Sequence, residues 1–271
     1  MTAPLPFPTF DLLGMRLARV DSQGLLEHMF SSLASGRGGW VVTANLDFLR
    51  RYAHDRDARA LYAQADLSVA DGMPLVWAAR LQGVRLPERV AGSSLVLPLA
   101  ERAAREGRSI YLLGGEPKAN AKTAEILRAR WPNLTVCGAS SPMVSSPPSP
   151  ADLEALNQEM GRTRPDIVLV GMGSPKQEQI IRALRETLPH AWMMGVGVTF
   201  SFIAGTVSRA PAWMQRTGLE WCWRLAQEPK RLARRYLLED IPFSFELFAQ
   251  LAWNRARKRA PGGGPDLADG T

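Results

Sequence analysis

Residues 67–77 read LSVADGMPLVW, a short apolar strand pattern followed at once by a helical pattern that contains a proline. Asp71 and Gly72 stand where one pattern gives way to the other. Open α/β proteins keep ligand-binding side chains on loops at the carboxyl ends of strands, so Asp71 is a candidate functional residue. An Asp-Gly pair also makes turns and caps helices, and this stretch taken alone favours that simpler interpretation.

The same alternation of strand and helix patterns continues on both sides and predicts a parallel sheet covered by helices, which is an α/β fold. The predicted strands are 40–45, 67–72, 109–115, 166–173 and 191–197. The predicted helices are 47–65, 74–83, 93–107, 118–131 and 176–188. The run 138–156 is rich in proline and serine, and we expect a surface loop that ends in a helix cap at Ser149 or Asp152.

After Thr199 the alternation stops, and the chain becomes rich in tryptophan and arginine. We therefore predict a catalytic domain of residues 1–205, a basic, aromatic-rich helical appendage of residues 206–260 and a disordered tail of residues 261–271. The formal net charge is +7, and the appendage carries a dense share of the basic residues. This excess favours phosphates, an anionic membrane surface or nucleic acid as partners.

The composition excludes several classes of protein. Two cysteines, Cys137 and Cys222, imply no disulfide framework and fit a reducing cytosol. The chain shows neither a signal peptide nor an apolar run long enough to span a bilayer, so we expect it to be neither secreted nor membrane-spanning. His28, His54 and His190 are scattered, and we expect no metal centre. The missing GxSxG motif argues against a serine nucleophile.

Glycines end three of the predicted strands, within 114–115, 171–173 and 195–197. A glycine at the end of a strand lets the backbone approach a phosphate, and the following helix offers free amides. None of the three completes a GxGxxG or Walker motif, so ordinary turns and a nucleotide site remain equal alternatives. Lys176 and Gln177 fall in the first turn of the next helix. We interpret Lys176 as solvated and Gln177 as a candidate ligand of an anion or a sugar.

Six segments in one order carry a resemblance to a known family: TANLDFLRRY (43–52), VADGMPLVW (69–77), ERVAGSSL (88–95), YLLGGEP (111–117), VGMGSPKQE (170–178) and RAPAWMQRTGLEWCWRLAQEPKRLARRYL (209–237). From about residue 11 to 240 the chain resembles the bacterial WecG/TagA/CpsF glycosyltransferases. The resemblance implies a Rossmann-like core. It also implies transfer of an N-acetylmannosamine-type sugar from a UDP-sugar donor to a GlcNAc on polyprenyl diphosphate, in teichoic acid or other cell-surface polysaccharide synthesis.

The resemblance further implies an inverting reaction that needs neither a metal nor a cofactor. The family's active-site pattern falls on Thr43, Asn45, Asp71, Arg89 and Gln177, and its appendage arginines on Arg224, Arg231 and Arg234. An inverting transfer needs one general base, a role that fits Asp71. For Asn45 a helix cap remains the alternative. We expect Arg89 and the appendage arginines to bind the diphosphate, since arginine binds phosphate oxygens in a bidentate manner.

The resemblance also implies that the appendage meets the anionic inner face of the cell membrane, so we expect a cytoplasmic, peripherally attached protein. Pro229 is expected to start a second helix, on which Arg231, Arg234 and Arg235 cluster. The aromatic residues of the appendage suit either a bilayer surface or packing on the core. Phe245 and Phe248 are expected to share one helix face with Leu251 or Trp253.

Two other classes stay open as alternatives. A nucleic-acid-binding protein would account for the basic appendage, but no known binding module is present and we expect no nucleic acid partner. A nicotinamide-dependent oxidoreductase would use a similar fold, but the dinucleotide fingerprint is missing. For the glycosyltransferase, the sequence is also compatible with a homo-oligomer.

Overall fold

The computed structural model describes residues 6–259, and the tail predicted for residues 261–271 lies outside the described residues. In this part of the chain the strands are β1 (Thr9–Leu12), β2 (Met15–Ala18), β3 (Gly39–Ala44), β4 (Leu67–Ala70), β5 (Ser109–Gly114), β6 (Thr135–Ser140), β7 (Ile167–Gly171) and β8 (Trp192–Gly195). The helices are α1 (Ser22–Ala34), α2 (Leu46–His54), α3 (Arg56–Tyr62), α4 (Met73–Leu81), α5 (Gly92–Glu106), α6 (Pro117–Arg130), α7 (Pro150–Thr163), α8 (Lys176–Thr187), α9 (Thr199–Ala204), α10 (Ala212–Arg216), α11 (Glu220–Gln227), α12 (Pro229–Ala233) and α13 (Ile241–Arg259). A π-helical segment, Arg234–Asp240, joins α12 to α13.

The main sheet has six parallel strands in the order β4-β3-β8-β7-β5-β6, and β1 and β2 form a separate antiparallel hairpin. Helices cover both faces, as buried parallel strands require. Val41 and Val42, neighbours in β3, show why: Val41 packs in the core with Leu25 and Leu95, and Val42 packs in the opposite core with Phe48 and Leu61. The predicted α/β fold, a Rossmann-like parallel sheet flanked by helices with a helical C-terminal segment, is confirmed.

The register of the strands brings their carboxyl ends together. Ala44, the last residue of β3, pairs with Ala70, the last residue of β4. Gly114 pairs with Gly171 at the ends of β5 and β7, and Val170 pairs with Gly195 at the end of β8. The loops that follow these five strands therefore leave one edge of the sheet, where open α/β folds bind their ligands.

The structure differs from the predicted elements in several places. The helix predicted over 47–65 is two helices, because the Asp55 side chain accepts hydrogen bonds from the Asp57 and Ala58 amides and starts α3. The predicted loop 138–156 contains the end of β6, and its irregular part ends at the expected capping box of Ser149 and Asp152. The hairpin, α1, β6 and α9 have no counterpart among the predicted elements; the hairpin strands, of four residues each, show too little alternation to be recognised.

The C-terminal segment, which is the described part of the predicted appendage (residues 206–259), packs directly on the sheet domain (residues 6–205). Phe243, Leu247 and Leu251 of α13 are buried in the same core cluster as Leu75 and Ala78 of α4. Their spacing of four residues forms one helix face. Phe248 packs, partly buried, against the same cluster, whereas Phe245 and Trp253 are exposed. The prediction that Phe245 and Phe248 share one helix face with Leu251 or Trp253 is therefore wrong for Phe248 and Leu251, which contact the core. Among residues 6–259, no helix combines the length and apolar character needed to cross a membrane.

Candidate active site

A cavity of about 1290 Å³ lies at the carboxyl edge of the sheet, between the strand ends and the C-terminal segment. Most of the site residues predicted from the sequence lie in its wall, namely Thr43, Asn45, Asp71, Arg89, Gln177, Arg224 and Arg231. The glycine positions at the ends of β5, β7 and β8 line it as well. The cavity is larger than the roughly 300–1000 Å³ that surrounds a single small ligand, so it has room for more than one.

Asp71 follows β4 directly, and its amide donates a hydrogen bond to the Ala44 carbonyl at 2.7 Å. This bond extends the β3–β4 pairing by one residue and directs the side chain out of the sheet edge. The Gly92 amide, at the start of α5, donates to Oδ2 at 3.3 Å, and Arg89 Nη1 lies 3.4 Å from Oδ1. The alternative that Asp71 caps the following helix α4 is wrong, because the N-cap of α4 makes no side-chain hydrogen bond.

The environment of Asp71 makes it a base near neutral pH. Burial raises its pKa to about 6 against the opposing charge of Arg89. Glu220 also raises this pKa, while the Gly92 amide and Arg209 lower it. A carboxyl with a pKa in this range is mostly ionised at pH 7 and still accepts a proton readily, which is what general base catalysis requires.

Arg89 joins the sheet domain to the C-terminal segment. It lies between α4 and α5, with its side chain 18% exposed. Its Nη1 atom is 3.4 Å from Asp71 and 3.6 Å from Glu220 Oε2, and its Nη2 atom is 3.5 Å from Gln215 Oε1. One guanidinium thus faces a carboxylate from each part of the chain. An anionic ligand bound to Arg89 would therefore lie beside Asp71.

Thr43 lies near the end of β3 and Asn45 directly follows that strand, which pairs with the strand that precedes Asp71. A Cβ atom at Gly92 would lie 2.9 Å from Thr43 Oγ1, so the glycine allows α5 to approach β3 this closely. Asn45 Oδ1 accepts a hydrogen bond from the Phe48 amide at 3.2 Å, which confirms the helix-cap alternative. The same side chain lines the cavity, and the cap leaves its NH₂ group to donate to a ligand.

Gln177 holds two glycine loops together. Its Oε1 accepts hydrogen bonds from the Gly173 amide at 3.2 Å and the Gly197 amide at 3.3 Å. Its Nε2 donates to Glu178 Oε1 at 2.7 Å, where burial raises the pKa of Glu178 to about 7. Gly173 and Gly197 have φ angles of +73° and +53°, which other residues adopt at a cost. Gln177 therefore shapes the cavity wall by fixing the loops that follow β7 and β8.

The interpretation of Lys176 as a solvated side chain is wrong. It is half-buried and lines the cavity, and its Nζ donates to the Val144 carbonyl at 3.0 Å. The bond ties the first turn of α8 to the Pro- and Ser-rich loop. Met143, next to Val144, is 97% exposed on the cavity wall. The loop therefore forms part of the rim of the site.

The appendage arginines do not all face the cavity. Arg224 and Arg231 line it, and Arg231 Nε donates to Glu228, which holds the pKa of that carboxyl below its usual range. Arg234 lies outside the lining residues, with its side chain 85% exposed. Arg235 lines the cavity instead, with Nε 3.9 Å from Asp240 Oδ2.

The helix geometry explains why Arg235, and not Arg234, lines the cavity. Pro229 starts α12 as expected, but the chain becomes π-helical at Arg234, and the wider turn rotates the side chains away from the α-helical positions. The spacing from Arg224 to Arg231 and Arg234 predicts one shared face only for a continuous α-helix. The helix ends at Gln227 instead.

The sequence model of the glycosyl transferase WecG/TagA/CpsF family matches residues 10–258, nearly the whole chain. The chain belongs to this glycosyltransferase family. The match runs from β1 into α13, so it includes both the sheet domain and the C-terminal segment that together enclose the cavity.

In this glycosyltransferase, Glu220, Arg235 and Asp240 are cavity residues that the sequence did not identify as site residues. Asp240 is 7% exposed, and burial together with Asp47 raises its pKa to about 6. Arg235 stands beside Arg234 in the sequence, and only the helix geometry distinguishes the two. Glu220 has the appearance of an ordinary acidic residue in a first helical turn, so no sequence signal indicates its contact with Arg89.

Proposed function

We propose that this glycosyltransferase moves N-acetylmannosamine, or a related sugar, from a UDP-sugar to a GlcNAc linked to polyprenyl diphosphate, in the synthesis of cell-surface polysaccharide or teichoic acid. The proposal takes its substrates from the family resemblance. The observation that carries its chemistry is the pair Asp71 and Arg89, a base and a cation 3.4 Å apart in the wall of a cavity that the C-terminal segment completes.

The reaction is a single inverting displacement. Asp71 takes the proton of the acceptor hydroxyl, and the oxygen forms a bond to the anomeric carbon of the donor sugar. The bond between that carbon and the β-phosphate oxygen breaks, and its electron pair leaves with UDP. Because attack and departure use opposite faces of the sugar, the anomeric carbon is inverted.

Arginines neutralise the departing diphosphate in place of a divalent metal. Arg89 belongs to the sheet domain, whereas Arg224, Arg231 and Arg235 reach the cavity from the C-terminal segment. Guanidinium groups bind phosphate oxygens through two parallel hydrogen bonds and carry their charge without a metal. The glycine-ended strands β5, β7 and β8 let the backbone approach the nucleotide.

The C-terminal segment presents the surface that meets the membrane. Leu238, Phe245 and Trp253 are 72%, 72% and 61% exposed. Arg257 lies over the Trp253 ring, 4.9 Å from its centroid. Apolar rings beside basic side chains suit the headgroup layer of an anionic bilayer, which is where a polyprenyl-linked acceptor is found. We propose that the enzyme is a peripheral protein of the inner membrane face, with no nucleic acid partner.

A panel of UDP-sugars with a lipid-diphosphate-GlcNAc analogue tests the proposal. We expect transfer from UDP-N-acetylmannosamine or a related UDP-sugar, with an inverted anomeric centre in the product by NMR. UDP should bind, and NAD should not. Failure of every UDP-sugar, or binding of NAD in preference to UDP, would contradict the assignment.

A further inference from the structure

Glu220 reaches the centre of the site from the C-terminal segment. It is the first residue of α11, its side chain is 24% exposed, and its Oε2 lies 3.6 Å from Arg89 Nη1. The same nitrogen lies 3.4 Å from Asp71 Oδ1. Because both distances start from one atom, the two carboxylate oxygens are at most about 7 Å apart, the sum of the two distances.

The position of Glu220 is fixed by packing. Gly218, in the turn before α11, has a φ angle of +74°, and a Cβ atom there would lie 2.6 Å from Trp77 Cη2. Trp77 belongs to α4, the helix that follows Asp71. The turn therefore rests on the element next to the candidate base. Gln215, from α10, makes a second contact with Arg89.

We propose that Glu220 is a positioning residue that shares the Arg89 guanidinium with Asp71 and so makes Asp71 a stronger base. This inference rests on the proposed function, in which Asp71 is the base. An Arg89 paired with Asp71 alone would stabilise the carboxylate and weaken it as a proton acceptor. Glu220 adds a second negative charge, which draws part of the Arg89 charge away and repels the negative charge on Asp71.

The charged groups that face Asp71 come from several elements. Arg89 approaches from the loop after α4 and Arg209 from the chain before α10, and both favour the carboxylate. The Gly92 amide of α5 also favours it. Glu220 opposes all three. Two unit charges at this separation, partly screened by solvent, shift a pKa by about one unit.

The pH profile of kcat/KM for Glu220→Gln tests the inference. In the wild type, activity should fall as the pH drops through about 6, the pKa of Asp71, because only the carboxylate acts as a base. Removing the charge of Glu220 lowers that pKa, so the acid limb should move to lower pH by about one unit. Glu220→Asp keeps the charge and should keep the limb within about half a unit of the wild type.

Two controls separate this role from a structural one. Glu246→Gln removes the same charge from α13, where Glu246 is 57% exposed and faces His54, and should leave the limb in place. If Glu220 only docks the segment, Glu220→Gln should lower the melting temperature and reduce kcat/KM equally at every pH. An unmoved limb in Glu220→Gln therefore overturns the inference. Should the glutamine variant fold poorly, Glu220→Ser provides the same comparison.

Failure of the inference is distinguishable from failure of the proposed function. An active wild type, an inactive Asp71→Asn and an unmoved limb in Glu220→Gln would refute the role of Glu220 alone. An Asp71→Asn variant that keeps near-normal turnover would instead remove Asp71 as the base.

Discussion

Replacing Arg235 and Arg234 one at a time tells which of two adjacent arginines binds the diphosphate. The family resemblance assigns Arg234, and the structure puts Arg235 in the cavity wall and Arg234 outside it. We expect Arg235→Ala to lower kcat/KM substantially and Arg234→Ala to change it by less than about twofold, as is usual for an exposed ion pair.

The size of the effect follows from the surroundings of Arg235. A hydrogen bond to a charged group contributes about 1.5–3 kcal/mol. Asp240 lies 3.9 Å from Arg235 Nε and partly neutralises it, and the side chain is 29% exposed, so the lower part of that range applies. A loss of about 1.5–2 kcal/mol corresponds to a reduction of kcat/KM of about tenfold to thirtyfold.

The assay compares kcat/KM on the lipid acceptor analogue and the Kd of UDP by calorimetry. Arg105→Ala, an exposed arginine on α5, controls for loss of a positive charge, and the melting temperature controls for folding. Arg235→Lys should recover part of the activity, because lysine keeps the charge but loses the planar fork. A tenfold loss in Arg234→Ala with near-normal activity in Arg235→Ala would refute the reasoning.

The catalytic base, the metal requirement and the proposed membrane surface can each be tested separately. Asp71→Asn should keep the fold and UDP binding but lower kcat by roughly two to four orders of magnitude, and near-normal turnover would remove Asp71 as the base. Transfer should continue in excess EDTA, because arginines supply the positive charge at the diphosphate; loss that magnesium or manganese restores would show otherwise. The double variant Trp253→Glu and Leu238→Glu should weaken sedimentation with anionic vesicles at low salt, because both exposed side chains belong to the proposed membrane surface. Arg105→Ala should sediment like the wild type. Equal sedimentation of the wild type, the double variant and Arg105→Ala would contradict the proposed membrane surface.

The sheet and the residues at its edge could be predicted because local sequence determines them. A strand pattern followed by Asp71, or by a pair of glycines, places those residues at a strand end whatever the rest of the chain does. Asn45 shows the limit of this reasoning. Its cap and its place in the cavity wall are both visible in the structure, whereas the sequence presented them as alternatives.

The C-terminal segment could not be predicted to the same depth, because its side chains are oriented by contacts with distant residues. Leu251 turns to the core because Phe243 and Leu247 precede it on the face that meets α4. Arg235 rather than Arg234 lies in the cavity wall because the helix is π-helical there, and Glu220 meets Arg89 because Gly218 packs on Trp77.

The contacts between α13 and α4 also limit what a truncated chain can show about the catalytic role of the C-terminal segment. A chain cut after residue 205 would expose the apolar side chains of α4 that α13 covers, so its inactivity would reflect a damaged core as well as missing arginines. Single substitutions at Arg235 and Glu220 leave that core intact, and they are therefore the sharper tests of how the segment contributes to catalysis.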